Sequence, residues 1–381
     1  MPSSSSTFNF KQLPQAFLIF LAVIVALDLL DLFVLPLNTF TFRVWESLSV
    51  HTYTADFPGP FYPNQNISMT EVGDLAPHSP LAVKKQVQWQ TDRFGYRDRD
   101  DPINDYDIVI VGDSFTAGTS LTQADCLTEV LQKKLGLHIY GYATRTVKQF
   151  LEDERFKNHY PKVVIWEISE RSLGRWPIVE ETSPPTKNSL PFNSIFQIWD
   201  SKYWLRSRID HHSKKAWIGY CVSTGAQLTA SLSQALENFF KRSNSKSPSD
   251  ILFSGQPLTT GSLTEKNLHD IVTSLILPLN QELNKKHIQL ILLPIPDKLT
   301  IYAGKHPSKN GSDFLNRLTP ILKQQNVNVV DVKKAFDNAY QKNNIYPYQP
   351  DDSHWNPDGI KITAELIARE LAEIEPKTPK K

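Results

Sequence analysis

Apolar residues along this chain fall into two kinds of run. One is long and lies near the N-terminus: every residue from Phe17 to Leu27 is apolar, and the character resumes around Asp28 and Asp31 as far as Leu35. The others are short, and stretches with helical spacing lie between them. Asp107 to Val111 (D-I-V-I-V) is a continuous β-branched run of the kind that suits a strand buried on both faces of a parallel sheet. Leu127, Val130, Leu131 and Leu135 then recur at helical spacing and close on Gly136, predicting a helix over Cys126 to Leu135 with a glycine C-terminal cap. Leu137 to Tyr140 reads as strand, Thr146 to Phe156 as helix, and Val163 to Ile168 as a third strand.

From Gly174 to about residue 250 the rhythm breaks. It resumes with a helix from about Leu263 to Lys286, kinked or broken at Pro278, and a strand at Ile288 to Leu293. A helix near Phe314 to Gln324, a strand at Val327 to Val332 and a last helix from Pro357 to Glu373 follow. Alternating strand and helix is the signature of βαβ units, so the expected fold is α/β, a three-layer sandwich around a central parallel sheet.

The N-terminal run changes the expected organisation. From Pro14 to Leu35 a helix extends about 33 Å at about 1.5 Å per residue, enough for a bilayer core of about 30 Å. Lys11 precedes it and no acidic residue does, which places the N-terminus inside and the remainder outside. A cleaved signal would need a small-residue site after the run, whereas Ala22 and Ala26 lie within it; a buried core helix is the third reading. The expected division is therefore a cytoplasmic segment at 1–13, a transmembrane anchor at 14–35 and an extracytoplasmic lead-in at 36–104, packed as loop rather than as a domain. A catalytic domain follows at 105–374, interrupted at about 174–250, with a flexible tail at 375–381. The aromatic and charged stretch Trp89 to Asp98 leads toward the first strand of the fold.

Composition removes several function classes. Lys plus Arg (41) balance Asp plus Glu (40), so no electrostatic bias draws the chain to nucleic acid. Cys126 and Cys221 are the only cysteines, too few for a disulfide scaffold and without zinc-site spacing. The basic patch from Arg206 to Lys215 reads as a solvated or headgroup-facing surface, and no metal or cofactor site is expected.

The chemistry lies in two short blocks. Gly112-Asp113-Ser114-Phe115 follows the Asp107 to Val111 strand directly, and open α/β sheets bind ligands outside the carboxyl ends of their strands. A serine hydroxyl needs a base to take its proton, so a histidine must come from elsewhere. Asp351-Asp352-Ser353-His354-Trp355-Asn356, just before the last helix, supplies one, with a carboxylate two or three residues ahead to fix its tautomer. Taken singly, the first block is also an ordinary turn and the second an ordinary helix cap.

G-D-S-F after the first strand and D-S-H-W-N-P-D-G before the last helix resemble the first and last blocks of the SGNH (GDSL) hydrolase superfamily. The chain further resembles the AlgX/AlgJ-like polysaccharide O-acetyltransferases in Asp352 to Trp355, in Trp166 to Arg171 and in Pro294 to Lys298. The likeness spans about Ile108 to Ala372. In AlgX and AlgJ the D-x-H element precedes the serine, so the order of blocks here is a departure that bears on substrate rather than on chemistry.

The resemblance implies that Ser114 is the nucleophile, that His354 is base and then acid, and that Asp352 orients it. Plain SGNH enzymes use D-x-x-H and would select Asp351 instead. It places Gly141, after the second strand, as an oxyanion donor beside the Ser114 N–H, while the usual asparagine block is replaced by Glu167 to Arg171. Arg171 and Lys298 are candidate substrate contacts, with a structural salt bridge to Glu167 or Glu170 as the alternative for them.

The expected function is membrane-anchored O-acetyl transfer to an envelope or extracellular polysaccharide, beside a membrane-bound O-acyltransferase (MBOAT) that delivers the acyl group. The setting would be the bacterial inner membrane, with the catalytic domain on the periplasmic side. Carbohydrate ester hydrolysis is the alternative, and a non-catalytic envelope-assembly role the third.

Overall fold

The computed structural model describes residues 13–34, 43–50, 58–75, 82–99, 105–175, 253, 260, 263–303 and 311–374. The expected interruption at about 174–250 beyond residue 175, its basic patch, Cys221 and the tail lie outside these residues. Five strands form one parallel sheet: β3 (Ile108–Gly112), β4 (Ile139–Ala143), β5 (Val163–Ser169), β6 (Gln289–Ile295) and β7 (Asn328–Val329). Their order is β4-β3-β5-β6-β7. The chain therefore steps outward from β3 in both directions, and the switch point lies at its carboxyl end.

Alternation along each strand builds two apolar layers, because successive side chains point to opposite faces. Val109 and Val111 pack on one side with Phe150, Leu268, Ile276, Phe314 and Leu318. Ile108 and Ile110 pack on the other with Leu131, Phe336, Trp355, Ile360 and Ile367. Helices thus cover both faces, as the βαβ pattern predicts.

Several boundaries move, for local reasons. Gly136 adopts the left-handed conformation (φ 69°) and caps the helix Leu127–Leu135, so β4 begins only at Ile139 and runs on to Ala143. The expected helix over Thr146 to Phe156 is two short helices, Val147–Glu152 and Glu154–Lys157, because Asp153 leaves the helical conformation and caps the second. Pro278 does not break its helix: Glu265–Ile271 passes through a π-helical stretch, Val272–Ile276, into Leu277–Lys285. A wider turn relieves the clash a proline ring makes with the carbonyl four residues back. The last strand shrinks to two residues, and Asp331 instead caps a helix at Val332–Asn343 that the apolar pattern did not reveal.

The lead-in is not simply packed loop. It contains a two-stranded antiparallel ribbon, β1 (Asn66–Glu71) and β2 (Lys85–Gln90), in register from Asn66 opposite Gln90 to Glu71 opposite Lys85. Its inner face joins Val44, Leu48, Phe61, Val87, Trp89, Ala117 and Ala143 in a third apolar cluster. Arg97 fastens it: the buried guanidinium lies over Trp89, 3.7 Å from the ring centroid, and donates to the carbonyls of Ala117, Gly118 and Leu121.

The N-terminal helix spans Leu13–Phe33, and described apolar side chains on it, including Phe17, Phe20 and Leu29, are exposed. Among the described residues, no helix is long and apolar enough to cross a membrane.

Candidate active site

Ser114 sits two residues beyond β3, on the turn that leaves the switch point. The turn is pinned from β5. Glu167 Oε2 accepts the N–H of Asp113 (2.9 Å), the N–H of Thr116 (3.2 Å) and the Thr116 hydroxyl (2.9 Å). A Cβ at Gly112 would lie 2.2 Å from that oxygen, so the approach requires glycine there. The Phe115 N–H donates to Asp113 Oδ1 (2.9 Å). Among the described residues, the Ser114 N–H is left unpaired within this turn. Burial, and then the nearby Asp113 carboxylate, push the Glu167 carboxyl well above the ordinary range.

The second block arrives from the other end of the chain. Asn356 caps the helix Pro357–Ile374, its Oδ1 accepting from the N–H groups of Asp358 and Gly359 (both 3.0 Å), which leaves Asp352 free of capping. Trp355 is fully buried and meets Phe115 edge-on, with ring centroids 5.3 Å apart, while Phe115 also lies 4.9 Å from the His354 ring. Apolar packing therefore draws the two blocks together. His354 donates from Nδ1 to Asp352 Oδ1 (2.6 Å), and the Ser114 hydroxyl lies 2.8 Å from His354 Nε2.

Between the two adjacent aspartates, the geometry separates clearly. Asp352 also accepts the His354 N–H (2.9 Å) on Oδ1, and the Ser120 hydroxyl and the Asp74 N–H (3.1 Å) on Oδ2. Asp351 turns the other way: its Oδ2 accepts from the N–H groups of Gly73 and Val83 (both 2.8 Å), and Lys85 Nζ stands 3.8 Å from its Oδ1. Burial works against the Asp352 charge, but the attraction of His354, the hydrogen bond between them and the Lys85 charge hold its pKa well below the carboxylate range. Burial likewise opposes the His354 cation, yet Asp352, then Asp74 and Asp113, raise its pKa above the ordinary imidazole value. Asp74, Asp352 and His354 could offer ligand atoms within 4.8 Å of one another, but both imidazole nitrogens are committed, to Asp352 and to Ser114.

Three expected residues are placed differently from expectation. Gly141 lies inside β4, opposite Ile110, and its N–H donates to the half-buried Asp98 Oδ2 (3.2 Å). An N–H spent on a carboxylate within the strand is unavailable to an oxyanion, so in this structure Gly141 is not placed as that donor. Lys298 pairs with neither Glu167 nor Glu170: it is 3 % exposed, and its ammonium donates to the carbonyls of Gln349 (2.6 Å), Pro350 (2.9 Å) and Asp352 (2.9 Å). Burial lowers its pKa to about 8 against the opposing pull of Asp352, Asp74 and Asp351. Arg171 pairs with Asp297 rather than with Glu167 or Glu170, from Nε at 3.0 Å and Nη2 at 2.5 Å. Asp297 in turn caps the turn that carries Lys298, through the Leu299 N–H (2.9 Å). Arg171 and Lys298 therefore brace the loop that carries the histidine.

Against known proteins, residues 250–380 match the family model of the SGNH hydrolase-like domain of the acetyltransferase AlgX. No curated protein matches the sequence. Structural similarity is found to a lipolytic protein of the G-D-S-L family from Veillonella parvula at 12% identity, covering 71% of this chain and 98% of that one, with a TM-score of 0.33. It is found also to an acetylxylan esterase from Geobacillus stearothermophilus (13% identity, 70% and 94% covered, TM-score 0.32). A GDSL-like lipase from Bacteroides thetaiotaomicron gives 13% identity, 70% and 87% coverage and a TM-score of 0.30. The family match includes Asp352, His354 and Lys298 but begins after Ser114. Residues 250–380 are thus similar to the SGNH hydrolase-like domain of the acetyltransferase AlgX.

Proposed function

We propose that the protein is a membrane-anchored serine O-acetyltransferase that modifies an envelope or extracellular polysaccharide. The observation that carries the chemistry is the line from Asp352 through His354 to Ser114, with contacts of 2.6 and 2.8 Å. Ser114 Oγ attacks the carbonyl carbon of an acetyl donor as His354 Nε2 takes the hydroxyl proton. Asp352 keeps Nδ1 protonated and steadies the imidazolium. The tetrahedral intermediate places its negative oxygen where the unpaired Ser114 N–H can donate. One such donor is worth about 3 to 4 kcal/mol in a well-studied protease. Collapse breaks the bond to the donor alkoxide, which leaves with the proton from His354, and the acetyl group stays on Ser114. An acceptor hydroxyl then gives its proton to His354 and attacks the acetyl-enzyme, which restores the serine.

The AlgX acetyltransferase match over residues 250–380 supports transfer over hydrolysis. The second reading is a carbohydrate esterase with water as acceptor, favoured by the same geometry. The apolar run of the sequence that begins at Phe17, with Phe17, Phe20 and Leu29 exposed, supports a membrane attachment that would keep the domain beside an exported acyl donor such as an MBOAT supplies. That arrangement would place the catalytic domain on the periplasmic side of the inner membrane. Incubating the chain with an acetyl ester and an oligosaccharide series tests the choice: acetylated sugar by mass supports transfer, and free acetate alone supports hydrolysis.

A further inference from the structure

Residues between β1 and β2 reach the histidine loop at Asp351, Asp352 and Ser353. The Gly73 N–H donates to Asp351 Oδ2 (2.8 Å), the Leu75 N–H to the Asp351 carbonyl (3.0 Å) and the Asp74 N–H to Asp352 Oδ2 (3.1 Å). Bonds also run the other way. Asp74 Oδ1 accepts the Ser353 N–H (2.8 Å) and Asp74 Oδ2 accepts the Ser353 hydroxyl (2.6 Å). A Cβ on Gly73 would stand 2.1 Å from the Asp351 carbonyl oxygen, so the close approach is specific to glycine. Both atoms that Ser353 can donate are thus consumed by one carboxylate from a segment almost 280 positions away.

We propose that Asp74 is a positioning residue for the base: by clamping Ser353 between Asp352 and His354 it aims Nε2 at Ser114, and its charge favours the imidazolium that forms during attack. The β1–β2 ribbon is then part of the catalytic unit. This rests on reading Ser114 and His354 as nucleophile and base. Among the described residues, the charged groups that bear on the imidazole are Asp352, Asp74 and Asp113, with Lys85 and Lys298 beyond Asp352; Ser114, Ser353 and the Phe115 ring also adjoin it. Removing the Asp74 charge leaves Asp352 and Asp113 to support the cation, so the histidine should lose its proton at lower pH.

The test uses the full chain and 4-nitrophenyl acetate, with pH profiles of kcat and KM for wild type, Asp74→Asn and Ser353→Ala. Expected for Asp74→Asn is a fall in kcat of roughly 10- to 100-fold with KM little changed, since a small misalignment is costly in rate. The midpoint of its acid limb should move to lower pH. Ser353→Ala, which keeps the charge and loses one bond, should lower kcat by roughly several-fold with the limb in place. Wild-type kcat and an unmoved limb in folded Asp74→Asn would overturn the proposal. If that variant fails to fold, an unchanged kcat in Ser353→Ala overturns it instead. A folded wild type inert to both the ester and a serine-directed phosphonate would overturn the underlying reading and the proposal together.

Discussion

The turn carrying Ser114 and the loop carrying His354 are held in place by opposite means. The serine turn is braced from the next strand: one oxygen of Glu167, at the end of β5, takes three hydrogen bonds from residues within four positions of the strand end. The histidine loop meets Ser120 and Phe115 of the serine segment and is otherwise held from more distant sequence. Its braces come from Lys298 after β6 and from Gly73, Asp74 and Val83 in the N-terminal ribbon. A nucleophile at a sheet switch point inherits rigidity from the sheet, whereas a base on a connecting loop needs dedicated contacts from distant sequence. Damage to the two regions should therefore differ in kind, the first disturbing reaction geometry and local stability together, the second separating them.

The largest effects test the reacting groups. Ser114→Ala should lower kcat/KM for an acetyl ester by roughly 10⁴-fold or more, with folding intact by circular dichroism. Asp352→Asn should cost about 10³- to 10⁴-fold, because the imidazole tautomer is no longer fixed. Asp351→Asn, beside it, should spare most of the turnover and lower the melting temperature instead, since its bonds go to Gly73 and Val83. Equal kinetic losses at the two aspartates would erase the distinction drawn from their partners.

Bracing residues come next. Glu167→Ala strands the Asp113 and Thr116 N–H groups in a buried place, at about 1 to 3 kcal/mol each, so stability and kcat should fall together. Lys298→Met leaves three loop carbonyls without their donor and should reduce kcat more than KM. A Lys298→Met enzyme with wild-type kcat would show that the loop holds without its ammonium.

Dependence on pH follows from the direction of the histidine shift. The base acts when neutral, and its pKa is raised, so kcat/KM should fall as pH drops through a midpoint above the ordinary imidazole value of about 6.5. A midpoint at or below that value would contradict the flanking carboxylates. The smallest effect belongs to Arg171→Gln. The Arg171 guanidinium is partly solvated though Asp297 is nearly buried, so the pair should be worth about 1 kcal/mol in stability, with kcat within a few-fold of wild type.

Much of this was legible in the sequence, and the failures have physical causes. β-branched runs and a glycine cap located β3, β5 and the first helix, since those signals are local. Gly141 was misplaced because the residues after Gly136 first complete the cap, which carries the strand two residues further and the glycine into its interior. Lys298 stood out as a conspicuous residue in a block after β6, but sequence does not tell a substrate-facing ammonium from one buried under a loop. Asp74 gave no signal in the sequence, and its importance exists only once the ribbon meets Ser353. The choice between Asp351 and Asp352 likewise needed the partners of each.

The most direct measurement is peptide mass spectrometry of the enzyme quenched soon after mixing with an activated acetyl ester. One acetyl group on the peptide containing Ser114 is expected in wild type, and none in Ser114→Ala or His354→Ala. Acetylation at another residue, or none on a folded wild-type chain that also resists a serine-directed phosphonate, would contradict the assignment of Ser114 as nucleophile.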